Sequence, residues 1–594
     1  MSTVQQKKWH ILPKISQNFI KQFPEYNQVV LQLLCNRGII SSQSRNDEGD
    51  TSTCRLHQGK IKQFLNPDYR KDSHDPFLFE DMQAAVDLII KHIKEQNRIV
   101  VYGDYDADGV TATAVLAETL ETLKGKVDIY IPDRVSQGYG LNKKAIDGLA
   151  ELESKLIITV DSGIRNKEEV EYAINIGLDI IVTDHHAPAE NKEELPDCLI
   201  INPMMANEKY PFKYLSGVGV AFKLAKALIS ESKLAKADKQ KLENKILDLV
   251  AIGTIADCVN LLSENRLLVK QGLGIINQQK RPGLTELIKV AQINSQIDSW
   301  NIAWQIAPRL NVAGRLEHAN TAYQLLVTKN NNEAQTIARR LNDKNIERQK
   351  ITEEIVDYCN NFIEKEMLND RILILVCPEI KKPWPEGVIG LVASRLCEQY
   401  SRPVIVITKV NKEFKGSGRS IDEFNIIKAI EQISDNLVKF GGHAGACGFT
   451  INSEDKLNSF IKKIKKIANQ ELKKVDLKSK IVIEKELDLQ EINEELIKDL
   501  ERFAPFGEAN PRPKFVSRNV QIRDIMNMGI NGQHIKFRVN GLWALAFGQA
   551  SQWQDLRIGD KVDMVYYAEI NEFNGRSKVQ LKIVDIKYNT KTKN

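Results

Sequence analysis

Three carboxylates at alternate positions, Asp104, Asp106 and Asp108, stand in VYGDYDADGVTATAVL (101–116), between an apolar run and a helical pattern. Further on, the run KLIITV ends at Asp161, the run DIIVT ends at Asp184, His185 and His186, and Asp257 sits among apolar neighbours in AIGTIADCVN. Carboxylates with an imidazole suit hard or borderline divalent cations, and the imidazole tilts the preference from Mg²⁺ toward Mn²⁺. Asp106, Asp108, Asp161, His185 and Asp257 are enough to hold two ions. Two ions can activate a water, clamp phosphate oxygens and stabilise a leaving oxygen, so phosphoester hydrolysis is the natural chemistry. No P-loop and no Ser/His/Asp arrangement competes with it.

Each segment has a plainer reading when taken alone. DYDADG opens like a calcium-binding EF-hand loop, but Val115 occupies the twelfth position, where a bidentate Glu is required, and a strand rather than a helix precedes it. A solvated acidic turn fits the same residues. The adjacent histidines could be satisfied core residues, and Asp257 could cap a helix. An Asp among apolar residues is costly to bury unless paired or metal-bound. Against the plainer readings stands convergence, because three strand ends deliver acids or histidines to one rim.

The elements that must position these groups are short apolar runs alternating with helical periods: RIVVY (98–102), KVDIYI (126–131), KLIITV (155–160) and DIIVT (179–183). That alternation predicts an α/β domain with a parallel, doubly wound sheet, whose carboxyl strand ends are where ligands bind. A charged helical stretch follows as a connector, then a second α/β unit with strands RILILV (371–376) and PVIVITKV (403–410) and the glycine-rich GGHAGACG (441–448). The lysine run KKIKKIANQELKK (462–474) reads as the polar side of an amphipathic helix. From about 515, Asn-Gly pairs at 531/532, 540/541 and 574/575 punctuate alternating runs such as HIKFRV, a hairpin pattern for a small β-barrel with one packed and one basic face. The expected division is 1–75, 76–330, 331–368 (the long helix), 369–470 and 471–594. No function is assigned to 1–75, where 41–54 reads as the mobile stretch.

Composition narrows the setting. The net charge of +5, from 83 Lys+Arg against 78 Asp+Glu, is too even to argue for nucleic acid by itself, so any basic surface must be local. Eight scattered cysteines without a CxxC pair suggest neither a disulfide framework nor structural zinc. With no signal-peptide pattern and no membrane-length apolar run, a cytoplasmic protein is expected.

GDYDADG, VDSG, Asp184-His185-His186 and Asp257 resemble the four motifs of the DHH phosphoesterase superfamily, and GGHAGACG with GSGRS (416–420) resembles its companion DHHA1 domain. FLNP (64–67), IPDRVSQGYGL, APRLNVAGR (307–315) and APFGEANPRPKF extend the resemblance to the bacterial RecJ nucleases, from about residue 60 to the C-terminus. It implies a DHH domain, a long connecting helix, a DHHA1 domain and a terminal OB-like barrel, acting as a 5′ to 3′ exonuclease on single-stranded DNA with two Mn²⁺ or Mg²⁺ ions. By matched position, Asp106 and Asp161 would hold one ion and Asp108, Asp161, His185 and Asp257 the other, with His186 on the scissile phosphate. Tyr102 departs from a pattern that sometimes carries a histidine ligand, so the first metal site would be either weaker or completed by Asp104. The resemblance further implies a 5′-phosphate pocket of Arg134, Ser417 and Arg419, strand contacts from Arg309, Asn311, Arg315 and His443, and, as partners, a single-strand-binding protein and a RecQ-type helicase around a monomeric nuclease. A small-substrate phosphoesterase would lack the barrel and the connector. A noncatalytic DNA-binding scaffold would have lost ligands that this chain keeps.

Overall fold

The computed structural model describes residues 7–41, 51–134, 136–378, 382–573 and 576–588. They divide into two compact units, one of His74–Val259 with Leu268–Leu477, the other of Met1–Ser73, Asn260–Leu267 and Lys478–Asn594.

The first unit is built on β1 (Arg98–Tyr102), β2 (Lys126–Tyr130), β3 (Ser154–Val160), β4 (Asp179–Thr183) and β5 (Leu199–Ile201), all parallel, in the order β2-β1-β3-β4-β5. β-Branched runs such as RIVVY suit strands buried on both faces of a parallel sheet. Val100, Tyr102, Ile157, Ile180 and Val182 pack into one core cluster with Leu141, Ile146 and Val170. The short β5 was not among the strands expected from sequence, for its three residues LII carry too little pattern.

Beside the sheet run α1 (Ala107–Thr122), α2 (Gly217–Glu231) and α3 (Lys236–Ala256), packed on one another. Helix α1 is capped by Asp106, whose carboxylate accepts from the Asp108 and Gly109 N–H groups at 2.9 and 3.1 Å. It is buried on every side from Ala107 to Leu120, which marks it as the central helix. α4 (Asn331–Phe362) continues through a π-turn at Ile363–Met367, matching the expected long connector.

The same unit holds a second sheet of β6 (Leu373–Val376), β7 (Val404–Val410), β8 (Glu413–Arg419), β9 (Lys439–His443) and β10 (Ala446–Ile451), ordered β9-β10-β8-β7-β6. α5 (Glu386–Tyr400) packs on β7 and β8, and its Val388, Val392 and Leu396 share a cluster with Val404 and Val406. Phe449 and Ile405 pack on the opposite side with Phe460 and Ile464 of the lysine-rich helix Glu454–Glu471.

In the other unit, β11 (Phe515–Met528), β12 (His534–Val539), β13 (Leu542–Ala546), β14 (Lys561–Phe573) and β15 (Arg576–Tyr588) close into a barrel, because β14 also pairs with β11. Asn540 and Gly541 form the two-residue turn between β12 and β13 with φ of 44° and 83°, as a twisted hairpin requires. The pair 574/575 lies outside the described residues. Ile535, Phe537 and Val539 are buried while Lys536 and Arg538 lie over the Trp543 ring, so the two faces separate as read from sequence.

The N-terminal segment looked weakly patterned, yet Phe19, Phe23, Val29, Leu33 and Phe64 belong to one core with Leu496 and the barrel. Of the stretch expected to be mobile, residues 42–50 lie outside the described residues and 51–54 open the helix Thr51–Leu65.

Candidate functional site

The strand order places β1, β3 and β4 side by side, with the change of direction between β1 and β3, where open α/β sheets form their ligand crevice. β1 runs into Asp104, Asp106 and Asp108. β3 ends at Asp161, held in the left-handed region at φ 59°, an uncommon conformation for a non-glycine residue that tends to mark functional sites. β4 ends at Asp184, His185 and His186. Asp257 is the C-cap residue of α3, as its plainer reading had it, and its carboxylate also stands in this cluster.

Ligand atoms of Asp104, Asp106 and Asp161, of Asp161, His185 and His186, and of Asp108, His185 and Asp257 form three groups, each within 4.8 Å. Nε2 of His185 lies 3.1 Å from Asp161 Oδ1 and 3.6 Å from Asp257 Oδ2. These three atoms and Asp104 Oδ1 are buried without a hydrogen-bond partner. Orphaned buried acceptors are rare and costly, and here four of them belong to residues of the three overlapping ligand groups. Hard oxygen donors with one imidazole fit divalent ions such as Mn²⁺ or Mg²⁺.

The electrostatics agree. Burial, then mutual repulsion, raises the carboxyls of Asp104, Asp161 and Asp257 well above the usual range and brings Asp108 up to about 7. The chain leaves this repulsion standing, and a cation would relieve it. Burial lowers His185 to about 4, keeping its ring neutral and its lone pair available.

Asp184 accepts from the backbone N–H groups of His185 and His186 at 2.7 and 3.1 Å and pairs with His186 Nδ1 at 2.7 Å. Burial alone would lower His186, but Asp184 raises it above its ordinary value. Tyr139 donates to the Asp161 carbonyl at 3.0 Å and also lies 3.0 Å from His186 Nδ1. Asp108 accepts from the N–H groups of Gly217 and Val218 at 2.7 and 2.9 Å, at the start of α2. Gly217 is required there by close approach, since a Cβ would lie 2.5 Å from Asp161 Cβ and Cγ.

Beside this cluster opens a cleft of about 700 Å³, lined by Tyr105, Arg134, Tyr139, His186, Ser417 and His443 among others. The His443 ring stacks on His186 at 6.5 Å. Arg134 lies over the Tyr105 ring at 4.9 Å. Arg419 reaches Ser417 Oγ at 3.3 Å. Arg315 is brought down to about 9, by burial first and then by Arg134, Arg348 and Arg419, and its Nε is buried without a partner. Crowded guanidinium groups of one sign make a receptor for an anion.

Two sequence candidates are placed differently. Arg309 is tied to the Gln305 carbonyl at 2.6 Å and to Asn342 Oδ1 at 3.1 Å on α4. Asn311 accepts from the Ala107 N–H at 2.7 Å, so it fixes the start of α1. Tyr102 points into the core, donating to the Gly140 carbonyl at 3.2 Å, and Asp104 stands in the ligand group instead. Sequence reasoning missed Tyr139, the Asp184 carboxylate as an orienting group, and the Gly217–Val218 amides. Only Ser216-Gly217, a capping signal ahead of an apolar helix, hinted at the last.

Comparison with known proteins accords with this architecture. Residues 98–254 match the DHH family, N-terminal domain, residues 369–470 the DHHA1 domain, and residues 483–585 the RecJ OB domain. The chain is 38% identical to the single-stranded-DNA-specific exonuclease RecJ of Bacillus subtilis, over 86% of its own length and 64% of that protein's. With the RecJ exonuclease of Salmonella typhimurium it shares 33% identity, covering 84% of this chain and 89% of the relative. Among solved structures, RecJ in complex with Mn²⁺ from Thermus thermophilus superposes with a TM-score of 0.80 at 27% identity, covering 98% of this chain and 79% of that one.

Proposed function

The chain belongs to the RecJ family, and we propose that it removes nucleotides one at a time from the 5′ end of single-stranded DNA, releasing 5′-mononucleotides, in DNA recombination and repair. The observation that carries this reading is the convergence of four orphaned ligand atoms, on Asp104, Asp161, His185 and Asp257, beside an arginine-lined cleft.

Asp106 and Asp161, supported by Asp104, would hold one divalent ion, and Asp108, Asp161, His185 and Asp257 the other, with Asp161 shared. When bound, two such ions supply Lewis-acid activation of water and stabilisation of the leaving oxygen in an in-line displacement. The protein does the rest. The Gly217 and Val218 amides hold the Asp108 carboxylate in place. Asp184 fixes the ring of His186, which keeps a proton to present to the scissile phosphate. Arg134, Ser417 and Arg419, with Arg315 behind them, take the terminal 5′-phosphate, and His443 lies alongside His186. The phosphorus–O3′ bond breaks, the oxygen of water joins phosphorus, and the proton ends on the 3′ hydroxyl.

In this reading 76–330 is the catalytic domain, 331–368 the connector, 369–470 the phosphate-binding domain, and 471–594 carries the OB barrel, with 1–75 as the N-terminal segment. Lys536, Arg538 and Lys582 lie over the Trp543 and Phe547 rings, a surface suited to a single strand. A monomer working in the cytoplasm with a single-strand-binding protein and a RecQ-type helicase completes the proposal.

The test is Mn²⁺-dependent digestion of 3′-labelled single-stranded DNA with a free or blocked 5′ end, beside a duplex and the Asp161→Ala protein. Shortening of the free strand alone supports the reading. A strand that binds but is never cut with any divalent ion leaves a noncatalytic DNA-binding protein in its place.

A further inference from the structure

The register of the second sheet rules the face toward the cleft into three rows. His443, Ala446 and Arg419 are paired across β9, β10 and β8, then Gly441, Gly448 and Ser417, then Lys439, Thr450 and Lys415. The first row is nearest the metal-ligand cluster, because His443 stacks on His186. The middle row is bare backbone except for Ser417: a Cβ on Gly441 would meet nothing within 4 Å, and one on Gly448 only a carbonyl oxygen at 4.0 Å. The third row restores positive charge on the side away from the metal ligands.

Successive rows are two strand residues apart, about 6.5 Å, comparable with the separation of neighbouring phosphates along an extended strand. Lys415 Nζ lies 2.8 Å from Glu413 and 3.2 Å from Thr450 Oγ1, which holds it at the end of the row. Lys439 makes no ion pair among the described residues, and its Nζ is 4.0 Å from where a Cβ on Gly138 would stand on the opposite wall. The acidic groups lining the cleft are Asp184, engaged by His186, and Glu386.

A terminal phosphate on Ser417 and Arg419 uses the first two rows and leaves the third without a ligand. We infer that Lys439, Thr450 and Lys415 form a further anion subsite, which takes a phosphate one step beyond the terminal-phosphate position. This rests on the exonuclease reading. The extra phosphate has two sources: the outermost phosphate of a 5′-triphosphate end, or the phosphodiester of a strand threaded one nucleotide further, which would release a dinucleotide by the same hydrolysis.

The experiment measures binding of 3′-fluorescein DNA 12-mers bearing 5′-hydroxyl, 5′-monophosphate or 5′-triphosphate ends, by anisotropy, to full-length Asp161→Asn protein in Mn²⁺ and to the unmodified protein in EDTA. The triphosphate end should bind about tenfold tighter than the monophosphate end, as charge-assisted contacts to a phosphate allow. That gain should vanish in Lys415→Ala/Lys439→Ala and persist in Lys463→Ala, which alters an exposed lysine of the Glu454–Glu471 helix. Product masses from the active enzyme separate the sources, since dinucleotide release from a monophosphate end assigns the row to a phosphodiester and mononucleotide release alone assigns it to a 5′-polyphosphate. If the gain is missing, or survives the double substitution, the third row is not a subsite. If the monophosphate end binds no better than the hydroxyl end, the terminal-phosphate reading itself falls.

Discussion

Replacing Gly217 by alanine inserts one methyl group against Asp161. The new Cβ would stand 2.5 Å from Asp161 Cβ and Cγ, whereas ordinary carbon contacts need about 3.5 Å. Either the Asp161 side chain or the start of α2 must therefore move by about 1 Å. Movement of α2 also pulls the Gly217 N–H from Asp108, which it reaches at 2.7 Å. A 1 Å misplacement of reacting groups costs about 100-fold in rate, or about 2.7 kcal/mol of barrier. Stability should change much less, because helix propensity favours alanine over glycine by up to about 1 kcal/mol, against about 1–3 kcal/mol for overpacking. The assay is kcat on 5′-phosphorylated single-stranded DNA across a Mn²⁺ titration, with urea unfolding alongside. Gly148→Ala is the control, since a Cβ there meets nothing within 4 Å. Activity within threefold of the parent at an unchanged Mn²⁺ midpoint would refute the assignment of Asp161 and Asp108 as ligands held from α2.

Arg281 joins Asp248 at 2.7 Å and Glu118 at 2.6 Å, far along α3 and α1 from their site residues. Arg281→Met should cost about 3–5 kcal/mol by leaving the buried Asp248 without a cation and Glu118 with Lys245 alone, and an unshifted urea midpoint would count against it. The carboxyl of Asp108, raised to about 7 chiefly by burial, favours the proton in the folded state. The metal-free protein therefore loses stability from this group as pH rises from its unfolded value of about 4 through 7. Mn²⁺ must displace that proton, so affinity should fall as pH drops from 8 to 6, with proton release visible by calorimetry in buffers of different ionisation enthalpy. Arg419→Ala should lower kcat/KM at least about tenfold for 5′-phosphorylated ends and far less for 5′-hydroxyl ends; an equal loss on both would place Arg419 outside the terminal pocket. Asn311→Ala removes the acceptor of the Ala107 N–H, costing about 1–3 kcal/mol and slowing turnover through Asp106 and Asp108. Unchanged stability and turnover would mean that the loop holds itself.

Much of the site was legible because its side chains sit at strand ends. In a parallel sheet the carboxyl ends of all strands reach one rim, so KLIITV-Asp161 and DIIVT-Asp184-His185-His186 converge whatever the details of packing. The RIVVY and DIIVT boundaries matched for a similar reason, since β-branched runs flanked by acids and glycines leave little freedom. A three-residue strand and an N-terminal segment buried by the barrel carry no such local pattern. The strand forms by pairing with β4, and the order of the N-terminal segment depends on partners hundreds of residues away, as with Phe19 and Leu496 in one core.

By itself, then, the sequence determined which groups could bind metal and that a doubly wound sheet presents them. Side-chain chemistry and strand periodicity are local properties. The tertiary structure alone decided which arginines meet in the cleft and which, like Arg309, are tied to a helix. It also decided that Tyr102 faces the core while Asp104 stands with the candidate ligands, and that two amides of α2 fix Asp108 from 109 and 110 residues away. These depend on the packing of elements distant in the chain, where an ångström of approach, as at Gly217, separates a ligand from a clash.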